Sequence, residues 1–113
     1  MRREALIAPD LWLLEIGSAI TRRVRRGQID AETASRHRAG LHRTPLTLTP
    51  AAELEADAFR LATLLSHPIY DCVYLALAER RGVRLATADE EFAKLARARG
   101  YDDLIELIGP DQP

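Results

Sequence analysis

The chain has little of what builds disulfide scaffolds, aromatic base-stacking surfaces or membrane spans. Its single cysteine, Cys72, excludes an internal disulfide framework and fits a reducing cytoplasm. Aromatic residues make up 5% of the chain, and the formal net charge is −1. Bulk charge therefore does not indicate a polyanion or a membrane surface as partner. No apolar run approaches the roughly 20 residues of a membrane span, so we expect a cytoplasmic globular protein.

The N-terminal segment starts basic and turns apolar, as a signal peptide does. Pro9 breaks the apolar run, and Asp10 and Glu15 interrupt it with charge. A signal peptide needs an unbroken apolar stretch, so we interpret this segment as part of the folded protein. A length of 113 residues suits one domain, and we expect a single domain over residues 1–113.

Strands and helices alternate in the apolar pattern. Short apolar runs predict strands over residues 5–8, 45–48, 83–88 and 103–108. Helical spacing and end signals predict helices over residues 10–26, 50–65, 67–81 and 89–99. Residues 31–43 are polar and rich in arginine, and Asp30 ahead of them is a plausible N-cap of a further helix. This alternation is typical of an α/β domain with a short, largely parallel sheet flanked by helices.

Three carboxylates occupy places where α/β proteins build sites. Ligands bind beyond the carboxyl ends of parallel strands, and Asp89 stands directly after the predicted strand 83–88. Glu15 lies in the second turn of the helix that follows the first strand, on or beside its apolar face. Asp71 lies near the start of a helix that is apolar nearly all the way round, where a lone carboxylate is costly to bury. All three can point toward one end of the sheet.

Each acid also has a purely structural interpretation. Asp89 can cap the helix that it precedes, and Thr87 and Glu90 have the spacing of a capping box. Asp71 can be stabilised by the helix dipole, or it can pair with Arg80 or Arg81. Glu15 can reach solvent and pair with an arginine. Spacing alone leaves these alternatives open.

If the three acids converge, their mutual repulsion calls for a cation. Mg²⁺ or Mn²⁺ prefers oxygen ligands and relieves such repulsion. The cysteine and histidine residues do not form a zinc-binding set, because the three histidines are scattered. We interpret them as surface or capping residues: His37, His42 and His67.

Two stretches, "APDLWLLEIGSAI" and "PIYDCVYLALAERRGVRLATAD", resemble the PIN-domain ribonucleases, in particular VapC-type toxins of bacterial toxin–antitoxin pairs. The resemblance covers essentially the whole chain, with Cys72 in place of the usual small alanine. It implies that Glu15, Asp71 and Asp89 are the catalytic, metal-binding acids and that Thr87 positions the substrate. It also implies RNA cleavage with Mg²⁺ or Mn²⁺, a homodimer, and inhibition by a cognate antitoxin.

One departure from the family concerns the opening of the chain. Members of the PIN-domain family share a first strand that lies at the centre of the sheet and ends in an acid. No such strand precedes residue 5 in this sequence. We therefore expect an N-terminally incomplete PIN-like domain, either from a misassigned start or from a real truncation. The strands at 5–8 and 83–88 would then pair directly or recruit a strand from a partner. An alternative function follows, a catalytically impaired scaffold that serves as a dimerisation or antitoxin-binding module.

Residues 21–43 hold seven arginines against Asp30 and Glu32. Arginine grips phosphates, so this stretch can form a patch for the RNA backbone. A solvated pair of surface helices explains the same composition. The stretch has no aromatic residue for base stacking, so sequence-specific readout from it is not supported.

Overall fold

The computed structural model describes residues 6–108. Within them the chain divides into two compact units, one ending at Pro50 and the other beginning at Ala51. Among the described residues no single helix is long and apolar enough to cross a membrane. In the same residues, one pair of neighbouring helices is long and apolar enough when the two are taken together, Ala51–Leu65 and Ile69–Arg81. A bend of 116° separates these two helices.

In the first unit, two helices connect two parallel strands along the chain. Its elements are β1 (Leu6–Pro9), α1 (Leu11–Arg25), α2 (Ala31–His42) and β2 (Leu46–Thr49). β1 pairs with β2 in parallel, and the Asp10 N–H continues the ladder by donating to the Thr49 carbonyl at 2.8 Å. α1 packs against α2. Asp30 caps α2 as predicted, because its carboxylate accepts the Thr33 N–H at 2.7 Å, and this hydrogen bond lowers the pKa of Asp30.

The second unit is built around two packed helices and a second parallel pair of strands. Its elements are α3 (Ala51–Leu65), α4 (Ile69–Arg81), β3 (Leu85–Thr87), α5 (Glu90–Ala96) and β4 (Ile105–Leu107). A π-helical turn, Arg97–Tyr101, and a 3-10 turn, Asp102–Leu104, connect α5 to β4.

Apolar periodicity explains how the second unit forms its core. The buried side chains of α3 recur at helical spacing, and they pack against α4. The described core also takes in most of α4 and one face of α5. The largest fully buried side chains of this unit are Phe92, Leu54, Leu61, Leu75, Ile105 and Cys72.

Two left-handed backbone positions set the ends of α4. Gly82, at φ 64°, ends the helix, where a side chain would strain the backbone. Ser66 precedes the helix at φ 51° and is the only non-glycine residue with positive φ in the described range. Such a conformation costs a non-glycine residue roughly 1–2 kcal/mol. It turns the chain sharply between α3 and His67.

The predicted α/β class and its parallel pairing are confirmed. Each predicted strand and helix is present, with most ends shifted by one or two residues. Residue 5 of the first predicted strand lies outside the described residues. The helix predicted over 89–99 ends sooner, at Ala96, because Arg99 and Gly100 leave helical geometry. The described strands form two separate two-stranded sheets.

Candidate metal centre

Asp71 enters the site from the first turn of α4. Pro68 precedes the helix in an extended conformation, with ψ 142°, and it lacks the N–H that would go unpaired at a helix start. The middle of the helix that follows, residues 72–78, is largely buried. Asp71 is half-buried, with 47% of its side-chain surface exposed. The helix dipole favours a negative charge at this end, so the local fold supports the carboxylate there.

Asp89 enters the site from the loop between β3 and α5. Its Oδ1 accepts the Phe92 N–H at 3.0 Å, so the predicted capping role is confirmed, with Asp89 rather than Thr87 as the N-cap. The Asp89 N–H donates to Thr87 Oγ1 at 3.1 Å. Thr87 is the last residue of β3, and its carbonyl accepts the Ile108 N–H at 2.8 Å. The backbone around Asp89 is therefore held on both sides.

These two elements bring Asp71 and Asp89 together with a histidine. One ligand atom from each of His67, Asp71 and Asp89 lies within 4.8 Å of the other two. Thr87 borders the group through its hydrogen bond from Asp89. Two of the three predicted acids and the predicted hydroxyl residue are thus neighbours at the carboxyl end of β3.

His67 corrects the prediction from sequence. The expectation that it is a surface or capping residue is wrong, because only 12% of its side chain is exposed. Its Nε2 lies 2.7 Å from Asp71 Oδ2. Its ring packs against Phe92 with centroids 4.8 Å apart. The spacing of four residues between His67 and Asp71 was the available signal, and the proline between them obscured it.

Arginine and lysine do not neutralise the two carboxylates. In residues 6–108, the basic partner of Asp71 is His67, and neither Asp71 nor Asp89 forms an ion pair with Lys or Arg. The predicted alternative that Asp71 pairs with Arg80 or Arg81 is wrong. Arg80 instead lies 3.8 Å from Glu53 Oε1 and donates to the Glu53 carbonyl at 2.9 Å. The neighbourhood is electronegative, as a cation site requires.

Cys72 is next to the site but has different chemistry. Its side chain is fully buried. Burial, with the charge of Asp71 as a smaller cause, raises the pKa of the Cys72 thiol to about 11. A thiol that stays protonated at neutral pH is a poor nucleophile.

Glu15 belongs to the first unit and is described with it. It lies in the second turn of α1, and its side chain is exposed rather than embedded in an apolar face. No residue of α1 is fully buried. The predicted convergence of Glu15 with Asp71 and Asp89 stays a prediction.

Comparison with known proteins shows the family to which the chain belongs. A PIN domain matches residues 1–98, a range that includes the whole cluster. Ribonuclease VapC3 of Pyrobaculum aerophilum is 33% identical over 87 residues, covering 75% of this chain and 66% of that relative. Exonuclease VapC9 of the same organism is 31% identical over 107 residues, covering 94% of this chain and 77% of that relative. The chain thus spans just under two thirds of the first of these relatives.

Proposed function

The chain belongs to the PIN-domain family, and from that membership we propose that it is a metal-dependent endoribonuclease, the toxin of a VapBC-type toxin–antitoxin pair. The observation that carries the proposal is the approach of Asp71 to Asp89 at the carboxyl end of β3. Similarity to proteins named as VapC nucleases supports it. Family membership supports the reaction class, and the acid pair supports the place where the reaction occurs.

The donor set fits a hard divalent cation. Mg²⁺ and Mn²⁺ prefer carboxylate oxygens as protein ligands. One ligand atom of Asp71 lies within 4.8 Å of one of Asp89, so the two residues could hold a single ion. Each carboxylate uses one oxygen in a protein hydrogen bond and keeps the other for a cation. Asp71 and Asp89 would hold Mg²⁺ or Mn²⁺, and Glu15 is the third proposed ligand.

Held by Asp71 and Asp89, such a cation would supply binding of a phosphodiester, a lowered pKa for a bound water and charge stabilisation of the leaving oxygen. The chain's own residues set the geometry for this chemistry. Thr87 Oγ1 accepts the Asp89 N–H and keeps its own hydrogen, which can be donated to a phosphate oxygen. We therefore assign Thr87 to substrate positioning.

The arginines of the first unit offer a surface for the RNA backbone. Those at the end of α1 are exposed, and the described ion pairs of residues 21–43 consist of Arg36 with Glu32, at 3.4 Å. Exposed guanidinium groups neutralise phosphates without reading sequence. The four at the end of α1 are Arg22, Arg23, Arg25 and Arg26. They also suit the negative end of the helix dipole, so both roles are compatible.

The proposal includes two protein partners, a second copy of the chain and a cognate antitoxin, and a cytoplasmic location. Several large apolar side chains are exposed, among them Leu14 at 79%, Tyr70 at 65% and Phe59 at 63%. Similarity to VapC proteins is what supports these partners, because singly exposed apolar side chains are normal on protein surfaces. If association persists without cleavage, the chain is instead a non-catalytic dimerisation or antitoxin-binding module.

The test is cleavage of a labelled RNA by metal-free protein before and after addition of Mg²⁺ or Mn²⁺. D71N removes the charge and keeps the volume, so we expect a folded protein without activity. E55Q is the matched control, because Glu55 is an exposed acid on α3 of the same unit, and it should cleave as the wild type does. Cleavage that persists in EDTA, or in D71N, contradicts the proposal.

A further inference from the structure

We propose that His67 is a positioning residue that holds Asp71 in the orientation needed for cation binding. The inference rests on the proposed function, because it concerns how one proposed ligand is oriented. His67 itself would not contact the cation. It would act through a hydrogen bond to one oxygen of Asp71, and so leave the other oxygen for the metal.

The hydrogen bond between His67 and Asp71 is short, and its direction follows from the role proposed for Asp71. Nε2 and Oδ2 are 2.7 Å apart. A carboxylate that binds a cation is ionised and only accepts hydrogen bonds, so in that role Nε2 would carry the hydrogen and donate it. Charge-assisted bonds of this length are stronger than neutral ones. Asp71 is 47% exposed, and without this bond its side chain would be free to rotate toward solvent.

His67 can orient Asp71 because the imidazole ring is itself fixed. Its side chain is 12% exposed, and the ring rests on Phe92 at a centroid distance of 4.8 Å. Phe92 is buried, and its backbone N–H donates to Asp89 Oδ1 at 3.0 Å. The same residue therefore supports the ring that holds Asp71 and binds the carboxylate of Asp89. This arrangement fixes the separation of the two acids.

The backbone around His67 agrees with a fixed role. Ser66 has φ 51°, and Pro68 has φ −53° and opens α4. After this turn His67 lies four residues before Asp71, and the two side chains are in contact. A ligand role would require Nδ1 to face the cation, or Nε2 to lose its hydrogen and leave Asp71. Metal sites commonly orient their ligands through outer hydrogen bonds, and removal of such a partner lowers metal affinity by about 10–100-fold.

Two substitutions separate positioning from packing. H67Q places an amide N–H near the position of Nε2, and H67L fills the space against Phe92 without a donor. We expect H67L to weaken Mn²⁺ binding at least about tenfold in calorimetry, and H67Q to restore affinity to near the wild-type value. Thermal melting in EDTA measures the packing role separately, and the two variants should melt at similar temperatures.

The imidazole nitrogen signals of the wild-type protein give a second test that needs no variant. We expect Nε2 of His67 to keep its hydrogen in nuclear magnetic resonance spectra, both metal-free and with Mg²⁺. Loss of that hydrogen, or a change of the Nδ1 signal to that of a metal-bound nitrogen, on Mg²⁺ addition and with H67Q as weak a binder as H67L, would make His67 a ligand and overturn the inference. Unchanged Mn²⁺ affinity in H67L would reduce His67 to a packing residue.

D71N and E55Q in the same calorimetry distinguish this inference from the proposed function. If D71N loses Mn²⁺ binding while H67L binds as the wild type does, the inference fails alone. If D71N binds as the wild type does, or the wild type does not bind Mn²⁺, both fail. E55Q should bind as the wild type does.

Discussion

Replacing Asp89 by alanine and by asparagine separates its helix-capping role from its proposed metal-binding role. Asp89 Oδ1 caps α5 by accepting the Phe92 N–H at 3.0 Å. Asparagine caps helices about as well as aspartate, whereas alanine offers no acceptor, and loss of a cap costs about 0.5–2 kcal/mol. In metal-free protein we therefore expect D89A to lower the free energy of unfolding by about 1 kcal/mol. D89N should lower it by only a few tenths.

The position of α5 makes this loss measurable. The helix has seven residues, and it buries Phe92, Ala93 and Ala96 in the core of the second unit. Fraying of its first turn therefore disturbs packed side chains and not only solvated backbone. A change of about 1 kcal/mol shifts the melting temperature of a domain of about 60–100 residues by about 4–8 °C.

Metal addition widens the stability difference between the wild type and both variants. A cation at about 100 times its dissociation constant raises the free energy of unfolding by about 2.7 kcal/mol in a protein that binds it. The wild type should gain this stabilisation, and neither D89A nor D89N should gain it. Circular-dichroism melts in EDTA and in Mn²⁺ provide the assay. A D89N melt that rises with Mn²⁺ as the wild type does refutes the ligand role, and a D89A melt in EDTA equal to that of D89N refutes the capping argument.

Three further predictions concern other parts of the chain. Leu61 is fully buried, so L61A should cost about 2–5 kcal/mol in urea unfolding, whereas L14A, at a side chain that is 79% exposed, should change stability little. Raising pH from about 9 to about 11 should lower the free energy of unfolding. In this range the unfolded chain loses the Cys72 proton at the ordinary pKa of 9.0, whereas the folded protein keeps it to a higher pH. C72A should abolish the contribution of this thiol to the pH dependence of stability. Replacing Arg22, Arg23, Arg25 and Arg26 by glutamine should weaken RNA binding. The slope of log affinity against log salt should fall by about 0.7 for each single-strand phosphate that is no longer neutralised. An unchanged slope would leave these arginines only their structural role.

Local signals in the sequence were sufficient for much of the second unit. The helical spacing of α3 predicts its buried face, and Leu54, Ala58, Leu61 and Leu65 are all buried. An acid directly after a strand and before a helix predicts the cap at Asp89, because that interaction spans three residues. Such features depend on neighbours in the chain, so residue type and spacing carry them.

Features that depend on unusual backbone or on packing between elements were not predictable in the same way. His67 reaches Asp71 through a turn in which Ser66 has φ 51°, a conformation that serine does not signal. The ring is held by Phe92, 25 positions along the chain. In α1, apolar spacing predicts a face that includes Trp12 and Ile16, yet the helix has no fully buried residue. An amphipathic pattern identifies which face is apolar and not how completely it is covered.

A crystal structure of the protein soaked with Mn²⁺ tests the central claim most directly. The anomalous scattering of Mn²⁺ locates the ion without reference to any assumed site. We predict a peak bonded to one oxygen each of Asp71 and Asp89, with His67 Nε2 still on Asp71. A Mn²⁺ peak elsewhere, or no peak beside this pair at a saturating concentration, would contradict the account.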